Sequence, residues 1–127
     1  MTYSSIPGII AGETLATNQF RAVKFAATGV DNTVVPIAAI TDIPLGIQQD
    51  TPDAAGQGVD VAYTGHAKAE YGGTIDAGDK LGVDSVGRVI VIAAGSDTTQ
   101  FYIGDALYDG VVGDIRHILI SRAGRAA

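Results

Sequence analysis

The sequence predicts an all-β protein, a small β-barrel or sandwich with little helix, built from two related halves. Three observations carry this. Apolar residues alternate with period two over Val59–Tyr63 and again over Gly65–Glu70, the mark of half-buried strands. No window of useful length carries a 3.6-residue apolar stripe. Seventeen Gly and four Pro punctuate 127 residues, so short strands and turns follow one another closely.

The halves are read from an internal echo. Gly12, Thr14, Leu15 and Val23 match Gly72, Thr74, Ile75 and Val83 at a spacing of 60. Leu45-Gly46 matches Ile103-Gly104 at 58, and Val59 onward matches Ile115–Ile120 at 56. A shrinking offset is what loop deletions in one copy produce. The expected organisation is an arm over residues 1–10, a single β domain over 11–120 with halves of about 11–66 and 71–120, and a basic tail over 121–127.

Taken in order, Ile6, Ile9 and Ile10 make the arm apolar, while Pro7-Gly8 prevents a continuous helix or central strand. Such an arm either caps its own core or is added as a strand to a neighbour; the expectation adopted is that Tyr3–Ile10 crosses to another subunit or to a partner protein. Residues 11–17 read as a strand start. In RAVKFAA, residues 21–27, Ala22, Lys24 and Ala26 alternate with Val23 and Phe25 as in a strand. Pro36 ends or edges the strand over residues 34–37. Residues 50–55 admit one helical turn, with Asp50 or Thr51 as N-cap and Pro52 at the first position, and Asp105–Asp109 is a weaker case. Thr74-Ile75 and Leu81–Val83 read as strand starts, and Asp84–Gly87 as a hairpin turn. The run RVIVIA over residues 88–93 is too apolar to alternate and suggests burial on both faces. Gly72, Gly73 and Gly78 are candidates for positive φ.

Composition narrows function. The net charge of −6 argues against nucleic acid held through a basic field. Arg116, His117, Arg122 and Arg125 fall in the last twelve residues, which hold no acid; the other 115 carry −9. This end is either a solvated tail or a basic patch that meets an acidic surface. There is no Cys, so disulfides and thiolate metal sites are excluded. The opening MTYSSIPGII has no basic region and only a brief apolar run, so it is not read as a secretory signal, and no apolar run is long enough for a membrane span.

No residue set points to chemistry. Asp76, Asp79 and Asp84 could ligate a hard cation, but their spacing misses the EF-hand pattern and Asp is a turn residue. His66 and His117 are the only imidazoles and are read as structural or surface side chains. Ser85, in VDSVG, lacks the glycines of a nucleophile elbow. Catalytic, metal and cofactor sites are therefore all expected to be absent. The candidate interface residues are Tyr3, Ile6, Ile9, Ile10, Arg122 and Arg125.

Three stretches carry a resemblance: GETLATNQFRAVKF, PLGIQQDTPDAAGQGVDVAYTGHAKAEYGGTIDAGDKLGVDSVGRV and YIGDALYDGVVGDIRHILI. Their order is a glycine-opened strand over Gly12–Val23, a Pro-x-Gly-Ile segment leading to an acidic turn over Pro44–Gly58, a Val-x-Val strand at Val59–Val61, and a GGTI-x-AGD segment over Gly72–Val89. This resembles the small capsid decoration, or cement, proteins of tailed bacteriophages. The resemblance implies a structural virion protein, made in the host cytoplasm, that binds the outer surface of an assembled capsid and bridges coat subunits. Its implied partners are the major capsid protein and copies of itself, with a trimer favoured, and no nucleic acid, membrane or cofactor. The alternative is a small β-barrel binding module, carbohydrate- or tail-associated and without catalysis, which would gather Tyr3, Tyr63, Tyr71, Tyr102 and Tyr108 on one face. A small hydrolase is the third reading, disfavoured because no nucleophile–base pair is visible.

Overall fold

A computed structural model of the chain describes residues 3–26, 31–93, 95–97 and 99–122. Ten strands form it: β1 (Tyr3–Ser5), β2 (Ile10–Ala11), β3 (Ala22–Phe25), β4 (Thr33–Pro36), β5 (Gly46–Gln48), β6 (Val61–Glu70), β7 (Lys80–Val83), β8 (Val89–Val91), β9 (Gly104–Ala106) and β10 (Ile115–Ile120). There is no helix among the described residues. The strands join one sheet in the order β2-β4-β3-β5-β6-β10-β9-β7-β8, with β1 added to β6. The all-β class is as the alternation predicts, but the sheet is open rather than a closed barrel.

That order is a palindrome of roles. Reading outward from the antiparallel β6–β10 pair, β5, β3 and β4 on one side answer β9, β7 and β8 on the other. The register agrees. Val23 lies opposite Gly46 as Leu81 lies opposite Gly104. The Leu45 N–H donates to Val23 O at 2.8 Å, and the Ile103 N–H donates to Leu81 O at 2.8 Å. At the outer ends, Ala11 runs parallel to Val34 as Tyr71 does to Val89, and the Gly12 and Gly72 N–H groups donate to those same two valines.

The pairing revises the offsets. Gly12 on Gly72 and Leu45-Gly46 on Ile103-Gly104 stand as the sequence suggests. Val23, however, matches Leu81 and not Val83, and Val61 matches Ile118, which shifts the last strand by one residue. Burial explains why: Val61 and Ile118 both point into a core, whereas the 56-residue offset would put exposed His117 opposite Val61.

Each half has its own packed centre. One cluster holds Ala11, Leu15, Val23, Val34, Leu45 and Val61; their counterparts Tyr71, Ile75, Leu81, Val89, Ile103 and Ile118 all lie in the other. The second cluster also takes Ala22, Ile47 and Ala62 from the first half, so the two are joined through the shared sheet. Small side chains at Ala67 and Ala69 fill the inner face of β6.

Several local expectations change. Residues 50–55 form a bend and turn, and Asp105 belongs to β9, so neither is helical. Residues 14–17 and Thr74 are loop, and Ile75 makes only an isolated bridge to Gly110. β8 ends the sheet and leaves Val91 exposed, so its apolar run is not buried on both faces. Gly78 has φ of 92°, as expected, but Gly72 and Gly73 are not in the left-handed region. Gly72 is needed instead for close approach, since a Cβ there would meet the Asp84 carboxylate at 2.7 Å.

Gly46 and Gly104 hold equivalent places beside β6 and β10. A Cβ on Gly46 would run into the Ala62 carbonyl oxygen, and one on Gly104 into that of Leu119. Both obstacles are backbone and cannot rotate away. Gly46→Ala and Gly104→Ala are therefore each expected to destabilise the protein by roughly 1–3 kcal/mol or more, read as a lowered urea midpoint. Gly73→Ala, with open space around its Cβ, is the control.

Candidate interaction surfaces

The arm is folded onto its own chain. β1 pairs with the first half of β6, so that Gly65 is partner both to Tyr3 and to Ile120 of β10. Gly8, at φ of 79°, turns the chain across to β4, where β2 pairs in parallel. The Val59 N–H donates to Ile9 O at 3.0 Å, the Ile10 N–H to Asn32 O at 2.9 Å, and the Asn32 side-chain amide to Gly8 O. Ile9 is 5% exposed and sits in the core; Ile6 packs against it, and Ile10 is half-buried. Of the Ile side chains that motivated the expected crossing to a neighbour, Ile9 and Ile6 pack into this chain's own core, each worth about 1.5–3 kcal/mol if fully buried.

Tyr3 completes the arm's attachment. Its hydroxyl donates to the Asp60 carboxylate. That hydrogen bond above all, then burial and the charges of Asp60 and Asp50, pushes the phenol up to about 12.

Beside Tyr3 lies a shallow groove of about 280 Å³, lined by Phe20, Gln49, His66, Lys68 and His117. Pairing of β6 with β10 sets Lys68 opposite His117, and so puts residues far apart in sequence on one outer face. Phe20 has φ of 65°, a left-handed conformation that costs a bulky residue energy. Its counterpart is Gly78: the Phe20 N–H donates to Gln48 O as the Gly78 N–H donates to Ala106 O. The Lys68 ammonium stands 5.8 Å from the Phe20 ring. Underneath, Gln48 is fully buried, donating to Leu15 O at 2.8 Å and Asp50 O at 2.7 Å while accepting from the Asn18 amide at 3.1 Å. This buried network, which ties the 15–21 loop to β5, had no signal in the sequence, because Gln and Asn in a turn-rich chain read as surface.

Arg122 lines a second groove, of about 370 Å³, with Ile43, Pro44, Phe101 and Tyr102. Ile43 and Phe101 are equivalent positions of the two halves, as are Pro44 and Tyr102, so this groove lies where the halves meet. Arg125 falls outside the described residues. Of the five tyrosines, Tyr71 is buried with its hydroxyl donating to Tyr108 O at 2.7 Å, and Tyr3 is engaged by Asp60; they do not form one aromatic face.

Exposed apolar side chains concentrate elsewhere, at the turn before β10: Tyr108 is 54% exposed, Val111 56%, Val112 59% and Ile115 42%. The three aspartates considered for a cation serve turns. Asp79 accepts the Asp76 N–H at 2.9 Å; Asp84 accepts the N–H groups of Val86 and Arg88 and pairs with the Arg88 guanidinium at 2.9 Å. Among the described residues no three His, Cys, Asp or Glu side chains gather as metal ligands, and no helix is long and apolar enough to cross a membrane.

The chain is similar to the head fiber gp8.5 N base of bacteriophage phi29, with a TM-score of 0.63 over 89% of this chain and 90% of that one, at 18% identity. At that identity the likeness is one of fold. No protein-family model matches the sequence, and no curated protein does.

The phenol of Tyr3 gives a pH test. Its value is raised from 10.0 to about 12, so the folded state holds the proton more tightly. The stabilisation is complete below pH 10 and is lost as pH rises toward 12. Tyr3→Phe is expected to cost about 1 kcal/mol at neutral pH. The gap between wild type and variant, measured by urea unfolding, should close across that alkaline window; a constant gap would contradict the Tyr3–Asp60 bond.

Proposed function

We propose that this chain is a structural virion protein, without catalysis, that binds the outer surface of an assembled phage head and stabilises it by bridging coat subunits. The observation that carries the reading is the fold shared with a head fiber base along nearly the whole of both chains. The sequence resemblance to capsid decoration proteins supports the same conclusion independently. Its partners are then the major capsid protein and other copies of itself, with a trimer favoured.

The physics is linkage. A protein that binds assembled coat but not free coat stabilises the shell by an amount that grows with occupancy, roughly 3–4 kcal/mol per site at about 100 to 1,000 times Kd. The open sheet suits this role. The arm strands pair with β6 and β4 of the same chain, which leaves turns and outer faces for contact.

The test is co-sedimentation of the purified protein with purified phage capsids, together with its mass in solution. Saturable pelleting with capsids, and a raised capsid melting temperature at saturation, are expected. A protein that stays in the supernatant at all capsid concentrations would end the proposal.

A further inference from the structure

We propose that the turn over residues 108–115 is the tip that contacts the capsid, and that it enters an apolar socket rimmed by Lys or Arg on the coat protein. This rests on the capsid-binding reading above and specifies the surface and the partner's chemistry.

The comparison of the two halves isolates the tip. Both build the same turn. The Gly113 N–H donates to Tyr71 O at 2.9 Å where the Gly56 N–H donates to Ala11 O at 2.8 Å. The Tyr71 N–H donates to Asp114 O where the Ala11 N–H donates to Gln57 O, and the two glycines have φ of 89° and 88°. The first half carries Ala54-Ala55 at the apex; the second carries Val111-Val112. The backbone therefore does not call for valine. β-Branched residues are poor turn formers, and these two are more than half exposed. With Tyr108 and Ile115 they put four exposed large apolar side chains within the eight residues 108–115.

The turn is also held rigid before any partner arrives. Asp114 accepts the Val111 N–H at 3.0 Å, Gly110 and Ile75 exchange two backbone bonds at 2.9 Å, and the Tyr71 hydroxyl donates to Tyr108 O. A preorganised apolar tip loses little entropy on docking.

Charge selects the partner. Asp76 and Asp109 are exposed beside the tip, and the Ala77 N–H, which donates to Asp109 at 2.8 Å, locks the two turns together. A second copy of this chain would answer them poorly. It is acidic overall, and five of its eight Lys and Arg residues, Arg21, Lys24, Lys80, Arg88 and Arg116, already pair with acids of their own chain. A basic rim on a different protein is the complementary surface.

The double variant Val111→Ala/Val112→Ala tests this, since the first half demonstrates that Ala-Ala fits the turn. Its urea midpoint is expected to match wild type, while its apparent Kd for purified capsids rises at least tenfold. Asp76→Lys is expected to weaken capsid binding several-fold at low salt and much less at high salt. If the double variant binds capsids like wild type, the tip is not the contact. If it loses self-association but keeps capsid binding, the occupant is a second copy and the assignment to coat protein is wrong. If wild type itself never pellets with capsids, the capsid reading falls and this inference with it, an outcome separable from the first because there the wild type pellets.

Discussion

The antiparallel pairing of β6 with β10 is the constraint on which the rest depends. It joins two halves in which β3, β4, β5 and β6 are answered by β7, β8, β9 and β10, and it fixes how each core closes. Ala67 and Ala69 must be small on its inner face, and Gly46 and Gly104 must lack a side chain where β5 and β9 run against the carbonyls of Ala62 and Leu119. Neither half could offer its outer strands anything to pack on without this seam. The same pairing sets Lys68 and His117 side by side on the outer face, so the groove beside Phe20 is a consequence of register.

Much of the fold was legible in the sequence. Period-two alternation over Val59–Glu70 marks β6 to the residue or two, and Leu45-Gly46 against Ile103-Gly104 aligns β5 with β9. The register of the last strand was not legible, because His117 and Ile118 differ by one step and only burial tells which faces inward. The loops at residues 14–17 and 74 read as strands because Thr, Leu and Ile favour strands locally, whereas Leu15 and Ile75 are pinned by bonds to Pro52 and Gly110 far along the chain. The arm gave its apolar content but not its destination. Three isoleucines demand burial, and a sequence does not say whose core supplies it. Of the candidate interface, Ile9 is buried in this chain, Tyr3, Ile6 and Ile10 are half-buried, Arg122 lines a groove, and the exposed turn at Val111-Val112 reads in the sequence as an ordinary glycine-flanked loop.

Departures from the repeat are more informative than the repeat itself. Where a position keeps its role in both halves, as Leu15 and Ile75 or Gly56 and Gly113 do, the fold dictates the residue. Where the roles diverge, the fold permits a choice. Gln48 carries a buried polar network where Ala106 simply packs. That network holds the loop leading to Phe20, which accepts a left-handed backbone that its counterpart fills with glycine at no cost. Ala11 has Tyr71 as its counterpart, whose larger ring fills its half's centre and whose hydroxyl reaches out to brace the turn at Tyr108.

These divergences separate the protein's two halves by task. In the first, the added arm and the Gln48 network seal loops inward, and the apical turn is left small with Ala54-Ala55. In the second, one buried aromatic both fills the core and stiffens an apolar turn pointing outward. Stability spent on Tyr71 is thereby transmitted to the exposed apex through a single hydroxyl and two backbone bonds. A surface feature supported from the core in this way is ordered before it meets anything, which distinguishes a built contact from an apolar residue stranded on a surface. The same logic accounts for the arm. Its strand pairing covers β6 from Ala62 to Gly65, so that stretch of backbone is satisfied within the chain.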